Sequence, residues 1–128
     1  MRSLTQKNRR LGQSFRNAGR GIILALRTER NIRIQTVCAT TASLVGLWLD
    51  LSPVELALIF VAIGLVLAAE MINSAIERLS DVVTGGEFDP RIRQVKDIAA
   101  GGVLVAAVTS ALIGIAIYLP ALIRKFAH

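Results

Sequence analysis

The sequence predicts an all-α integral membrane protein, an N-terminal amphipathic surface helix followed by three transmembrane helices. Three observations lead there. The chain has 128 residues, is 53% hydrophobic and still carries a formal charge of +6, and these two properties are segregated. Long apolar runs alternate with short charged segments, as a bilayer demands when it expels charges to helix ends and requires backbone polar groups to be satisfied inside helices. The run from Ile98 to Ile123 holds no charged residue and easily spans a hydrocarbon core of about 30 Å. Finally, the cations crowd at some helix ends and avoid others, which is the signature of an oriented membrane protein. A chain of this length is expected to form one domain, residues 1–128.

The surface helix is expected at about 4–27. Leu4, Leu11, Phe15, Ala18, Ile22, Ala25 and Leu26 fall on one stripe of a helix. Lys7, Arg9, Arg10, Arg16 and Arg20 occupy the rest. A basic amphipathic helix of this kind reads as lying on an anionic membrane surface, the other reading being a helix packed on a protein partner. The first twenty residues hold no apolar stretch of signal-peptide type, so membrane targeting falls to the spanning helices.

The knot Arg27-Thr28-Glu29-Arg30-Asn31-Ile32-Arg33 leads into the first span, about 32–49. Its Thr36, Thr40, Thr41 and Ser43 suit packing against other helices better than facing lipid. At the turn Asp50-Leu51-Ser52-Pro53, Ser52 is a candidate N-cap, Pro53 the first helical residue and Glu55 the partner that completes a capping box. Trp48 fits an interfacial anchor.

The second span is expected at about 53–83, stopped by Thr84-Gly85-Gly86. At roughly 1.5 Å per residue it is about 46 Å long, so only its uncharged first half, Leu56–Ala69, needs to be lipid-soluble. Asp89-Pro90 opens the third, about 90–123. Ala99, Ala100, Gly101, Gly102, Ala106 and Ala107 permit close helix approach at its inner end, and Pro120 is expected to bend or fray the far end.

Before Thr36 lie Arg2, Lys7, Arg9, Arg10, Arg16, Arg20, Arg27, Arg30 and Arg33, and the second loop region holds Arg78, Arg91, Arg93 and Lys96. The positive-inside rule puts these segments in the cytosol and the protein in the cell membrane as a multi-pass chain. Arg124 and Lys125 then fall outside, a mild violation.

The residue inventory narrows the chemistry. A lone cysteine, Cys38, rules out an intrachain disulfide, and the one histidine is His128, so histidine catalysis, His/Cys metal sites and haem ligation are not expected. No phosphate-binding loop of G-x-x-x-x-G-K-[ST] type occurs, and no nucleic-acid partner is expected. Glu70, Asn73, Glu77 and Asp81, at steps of three, four and four, share one helix face. Stacked acids repel unless a cation sits among them. For Asp81 an ordinary ion pair, for instance to Arg78 or Lys96, is a sufficient reading. Glu70 ends an apolar run at the membrane boundary, where an ionisable residue is a functional candidate.

Antiparallel helices would bring Glu29, the Glu70–Asp81 face and Lys96-Asp97 to one level. Mg²⁺ favours one or two carboxylates plus substrate phosphates, and Lys96, Arg30 and Arg33 are available for phosphate charge. The residues therefore point to a cytosol-facing acidic and basic site at the bilayer surface, suited to Mg²⁺ and phosphate.

The segment Glu70-Met71-Ile72-Asn73-Ser74-Ala75-Ile76-Glu77, followed by Asp81, resembles the E-x-x-N-[ST]-A-I-E-x-x-x-D signature of the small prokaryotic diacylglycerol kinase/undecaprenol kinase family. Lys96-Asp97-Ile98-Ala99-Ala100 resembles its K-D-x-[AG]-[AS] segment. Ser14-Phe15-Arg16-Asn17-Ala18, Gly21-Ile22 and Thr28-Glu29-Arg30-Asn31-Ile32-Arg33 resemble its surface helix and first-span entry. The match runs in order along essentially the whole chain.

This resemblance implies a homotrimer with active sites shared between subunits, using ATP and Mg²⁺ to phosphorylate the primary hydroxyl of a membrane lipid. By motif position Glu70 is implied as the general base, and Glu29 and Glu77 as the metal ligands on the ATP phosphates. Lys96 and Asp97 are implied to contact the nucleotide, and Asn73 to orient the reacting groups. Arg10, Asn17, Glu87, Phe88 and Asp89 fall where the family contacts ATP, although Asn17 stands where an aromatic is often found. Glu70, Asn73 and Arg33 make up the implied lipid-substrate set. Thr28-Glu29-Arg30-Asn31 looks more like the undecaprenol branch, and Gln35 stands where the diacylglycerol branch often has a second acid. A reading of another class stays open, a non-catalytic trimeric scaffold or small cation pathway whose acidic face binds cations.

Overall fold

The computed structural model describes residues 4–127, with side chains from Arg10 onward. Arg2, His128 and the side chains of Leu4, Lys7 and Arg9 lie outside the described residues. Four helices follow in order, α1 (Leu4–Thr28), α2 (Arg30–Trp48), α3 (Pro53–Thr84) and α4 (Pro90–Phe126), with no strand among the described residues.

One extended residue, Glu29, separates α1 from α2, with φ −99° and ψ 118°. Hydrogen bonding continues across it, since its N–H donates to the Ala25 carbonyl at 2.8 Å. The chain therefore makes an elbow rather than a loop. The α2–α3 turn is tight. Asp50 adopts φ 54°, a left-handed conformation that Asp tolerates better than most residues. Ser52 Oγ then accepts from Glu55 N–H and the Ser52 N–H donates to the Glu55 carboxylate, so the expected capping box is present with Pro53 at the first helical position. Gly85, at φ 62°, ends α3 in the left-handed conformation that favours glycine. Asp89 caps α4 by accepting from Arg91 N–H at 2.8 Å, ahead of Pro90.

Helices α3 and α4 pack along each other most extensively, α2 packs on α3, and α1 packs least, on α2. Their register is antiparallel. Lys96–Asp81, Ser110 Oγ to the Ala62 carbonyl at 3.0 Å, and Arg124–Glu55 step back along α3 as α4 advances. The apolar core sits at the end of the bundle that holds the α2–α3 turn, around Leu49, Leu51, Ile59, Ile117 and Ala121. Gly46 is buried there. A Cβ on it would lie 3.1 Å from a Leu51 methyl and 3.2 Å from a Leu56 methyl, so any larger residue would have to push both side chains aside.

Helices α3 and α4 are each long and apolar enough to cross a membrane, with mean hydropathy 2.3 over windows that are only 17% and 11% buried. Phe60, Val61, Leu104, Val105, Leu112 and Ile115 are exposed. Apolar exposure on this scale calls for lipid or another protein surface to cover it. Helix α2 does not meet the same test, because Arg30, Asn31, Arg33 and Gln35 crowd its start.

Three expectations change. The hydroxyls of Thr36, Thr40, Thr41 and Ser43 all donate to the carbonyl four residues earlier in α2, at 2.7–2.9 Å. They are satisfied without a neighbouring helix, and Thr40 and Thr41 remain exposed. Gly101 and Gly102 are exposed with no atom within 4 Å of a built Cβ, so of the small residues at the inner end of α4 only Ala106 is buried. Pro120 does not end α4, which continues to Phe126. Contacts beyond the proline hold that last stretch in place. Ala121 is buried, Arg124 pairs with Glu55, Lys125 bonds the Trp48 carbonyl and lies 4.8 Å from the Trp48 ring centre, and Phe126 packs on Trp48.

Candidate active site

At the other end of the bundle the polar residues gather. Glu70, the first charged residue after the apolar half of α3, is 6% exposed and Asn73 one turn on is 8% exposed. Burial of a carboxylate and an amide side by side requires partners. Glu70 Oε1 accepts from Gln35 Nε2 of α2 at 3.0 Å, and Asn73 Nδ2 donates to Glu77 Oε1 at 3.1 Å. The carbonyl oxygens of both amides, Gln35 Oε1 and Asn73 Oδ1, are buried and have no hydrogen-bond partner. The charges of Glu77 and Glu29 both lie near enough to act on Glu70.

Glu29 reaches the same region from the elbow. Arg78 of α3 donates to Glu29 Oε1 through Nε at 3.2 Å and through Nη2 at 2.5 Å, and Thr28 Oγ1 donates to the same oxygen at 3.3 Å. The Arg78 hydrogen bonds hold the Glu29 carboxyl below the usual carboxylate range, against partial desolvation that pushes it up. Glu29 is thus kept ionised at neutral pH, with its contacts collected on one oxygen. Glu29, Asn73 and Glu77 offer hard oxygen donors, and the Asn73 oxygen is an unfilled acceptor beside a carboxylate. Among the described residues no three Asp, Glu, His or Cys side chains converge into a cage. A set of few carboxylates is what Mg²⁺ takes when phosphates and water complete its shell, so the residues fit that ion.

One turn beyond Glu77, Asp81 pairs with Lys96 at 3.0 Å, the ordinary ion pair expected of it. Arg78 does not serve Asp81, having gone to Glu29. The Asp81–Lys96 pair borders an open cleft of about 430 Å³ between the ends of α3 and α4, which also exposes Glu87, Phe88, Asp89, Arg93 and Asp97. Phe88 is 77% exposed, an aromatic face available for stacking. Asp89 is held below its usual range by the Arg91 guanidinium, and Asp97 pairs with Arg93 at 3.5 Å.

The structure therefore gathers Glu29, Glu70, Asn73 and Glu77 in one cluster and Glu87, Phe88, Asp89, Lys96 and Asp97 around one cleft, joined by consecutive turns of α3. It does not gather Arg10 and Asn17, which are exposed on α1. Helical rise puts Arg10 about 28 Å and Asn17 about 18 Å from the elbow. Arg33 donates from Nη1 to the Arg27 carbonyl at 3.2 Å, tying down the end of α1. Gln35, not Arg33, is the α2 residue that touches Glu70.

Below Gln35 an apolar cavity of about 260 Å³ runs between α2, α3 and α4, past Cys38, Ala42, Ala62 and Ser110 to Tyr118. The Tyr118 hydroxyl donates to the Ala42 carbonyl at 2.7 Å, closing its far end. A buried carboxylate thus stands between a polar cleft and an apolar slot.

Residues 16–118 match the model of the prokaryotic diacylglycerol kinase family. The chain belongs to that family. It is 41% identical over 113 residues to the undecaprenol kinase of Bacillus subtilis (strain 168), covering 88% of this chain and 91% of that one. It is 33% identical over 110 residues to a diacylglycerol kinase of Synechocystis sp., covering 86% of this chain and 63% of the relative. The diacylglycerol kinase of Escherichia coli (strain K12) is 29% identical over 91 residues, 71% of this chain and 74% of the relative. Membership of the prokaryotic diacylglycerol kinase family makes this chain a lipid kinase, an enzyme that draws its phosphoryl group from a nucleotide. The matched span begins at Arg16 and contains both the Glu70 cluster and the Lys96 cleft.

Proposed function

We propose that this protein phosphorylates the primary hydroxyl of a membrane lipid alcohol with ATP and Mg²⁺, undecaprenol ahead of diacylglycerol, at a site on the cytosolic side of the cell membrane. The observation that carries the reading is Glu70. It is a buried carboxylate at the level where the apolar half of α3 ends, with an apolar slot toward one end of the bundle and a Lys-lined cleft toward the other.

In this reading the lipid tail lies in or against the apolar slot and its hydroxyl meets Glu70. The carboxylate takes the hydroxyl proton, and the oxygen attacks the γ-phosphorus as the bond to the bridging oxygen breaks and ADP leaves. Such a base contributes about 10²–10⁴-fold. Phosphoryl transfer otherwise asks for alignment and charge neutralisation. Lys96 neutralises phosphate charge at the cleft, Asp97, Glu87 and Asp89 bound it, and Phe88 offers a face to the base. Asn73 holds Glu77 in place and orients the reacting groups. Mg²⁺ bound by Glu29 and Glu77 would supply charge neutralisation at the phosphates. Arg10 and Asn17 contact the nucleotide across a homotrimer, from α1 of a neighbouring subunit, because their distance along α1 keeps them from the cleft of their own chain. Helix α2 is the first span, joining α3 and α4 to make three, its hydroxyls already bonded to its own backbone.

The preference for undecaprenol is supported by the higher identity to an undecaprenol kinase, 41%, than to the diacylglycerol kinases, 33% and 29%. The cytosolic orientation is supported by the cations gathered at the site's end of the bundle, Arg27, Arg30, Arg33, Arg78, Arg91, Arg93 and Lys96.

The test is transfer of label from ATP in lipid micelles, with undecaprenol and diacylglycerol offered separately and with Mg²⁺ present or chelated. Labelled lipid is expected from both, more from undecaprenol, and none after chelation. No labelled lipid from either alcohol overturns the reading in favour of a cation-binding scaffold.

A further inference from the structure

Gln35 lies outside every motif that defines the site, yet it is the residue that touches Glu70. Its Nε2 donates to Glu70 Oε1 at 3.0 Å across the α2–α3 interface. A carboxylate only accepts, so the amide is oriented with its nitrogen toward Glu70. Its oxygen is left buried and without a donor. Asn73 repeats the arrangement, with its nitrogen on Glu77 and its oxygen orphaned. Such acceptors are rare in folded proteins and call for an explanation. Here they flank one buried carboxylate, in a pocket rich in acceptors and poor in donors.

We propose that Gln35 is a positioning residue for lipid phosphorylation. Its N–H ties down Glu70 Oε1 so that Oε2 meets the lipid hydroxyl, and its buried carbonyl receives the O–H that Glu70 acquires. The inference rests on the kinase reading given above. In the transfer step the lipid O–H bond breaks and its oxygen bonds to the γ-phosphorus. The bond from that phosphorus to the bridging oxygen breaks, and its electron pair leaves with ADP. The proton stays on Glu70. The carboxylate has become a carboxylic acid, and its new donor needs an acceptor in a buried site. A half-turn of the Gln35 amide supplies one. An amide serves both states, donating to the carboxylate before transfer and accepting from the acid after it. An apolar side chain would leave both states unpartnered. Gln35 also borders the apolar slot, so it holds the base where the lipid's polar end emerges from that slot.

Gln35→Met, which keeps the length of the side chain, is expected to lower kcat roughly 10- to 100-fold, the worth of a hydrogen bond to a charged group. The KM for ATP is expected to stay unchanged. Gln35→Asn, which keeps the amide one methylene shorter, recovers part of the kcat lost in Gln35→Met. Without turnover, the Gln35 side-chain amide resonances of ¹⁵N-glutamine-labelled protein in micelles are expected to shift on Glu70→Gln. A Gln35→Met enzyme with the wild-type kcat overturns the proposal, as do Gln35 resonances indifferent to Glu70. Failure of the unsubstituted protein to phosphorylate any lipid alcohol is a separate result, and it overturns the kinase reading beneath the proposal.

Discussion

At the scale of single residues, the site is a division of labour among carboxylates by burial and partner. Glu70 is buried and held by a neutral amide, Glu29 is ionised against Arg78, and Asp81 is committed to Lys96. Each environment yields a different expectation. Glu70→Gln keeps the shape and the contact distance but removes the base, so turnover should fall by about 10²–10⁴-fold while ATP binding, followed by a fluorescent analogue, stays intact. Near-normal turnover would remove Glu70 from the base's role. Glu77→Gln should raise the Mg²⁺ concentration needed for half-maximal rate and leave the rate at saturating Mg²⁺ much closer to normal. An unchanged Mg²⁺ dependence would take Glu77 out of the ligand set. Most of these residues were legible from the sequence, because a step of three or four places side chains on one helix face. Gln35 stood out only as the position where the diacylglycerol branch often has a second acid, not as the partner of Glu70, although a signal existed. Ile32, Gln35, Ala39, Ala42 and Gly46 fall on one stripe of α2, and a polar residue among small and apolar ones on an inward face needs a polar partner. Which partner it meets depends on the register between α2 and α3, and that depends on packing no single-helix pattern contains.

At the scale of elements, the caps read from the sequence are present, since caps are made by residues within three or four positions of each other. The Ser52–Glu55 capping box and the left-handed Gly85 are cases. Contacts between helices were harder to read. The glycine pair Gly101-Gly102 suggested close approach and makes none within the chain, whereas Gly46 makes one and carried no special pattern. Gly46→Val should therefore lower the thermal unfolding midpoint in detergent, through about 1–3 kcal/mol of overpacking against Leu51 and Leu56. Gly101→Ala should leave the midpoint unchanged or slightly higher, given the open space around it and alanine's better helix propensity. The reverse order of effects would mean that the α2–α3 register described here is wrong. Pro120 does not fray the end of α4 for a related reason, since the missing N–H is a local loss, and the contacts of Arg124, Lys125 and Phe126 beyond it are not local.

At the scale of the whole molecule, charge distribution ties the fold to the bilayer. Counting cations left Arg124 and Lys125 as an exception to the positive-inside pattern. In the structure both are neutralised, Arg124 by Glu55 at 3.2 Å and Lys125 by Asp50 at 3.4 Å. Replacing both acids, Asp50→Asn with Glu55→Gln, leaves two unmatched cations on that side. Part of the population is then expected to insert inverted, read as protection of a Ser52→Cys label site from an impermeant maleimide in a Cys38→Ser background. Unaltered labelling would mean that the N-terminal arginines alone fix the orientation.

The elbow at Glu29 has a mechanical consequence. One extended residue joins α1 to the bundle, and that residue's carboxylate is clasped by Arg78 on α3. Any tilt of α1 against the bundle is taken up at the φ and ψ of Glu29, with little slack between the swivel and its side chain. The angle of α1 and the aim of that carboxylate are accordingly coupled.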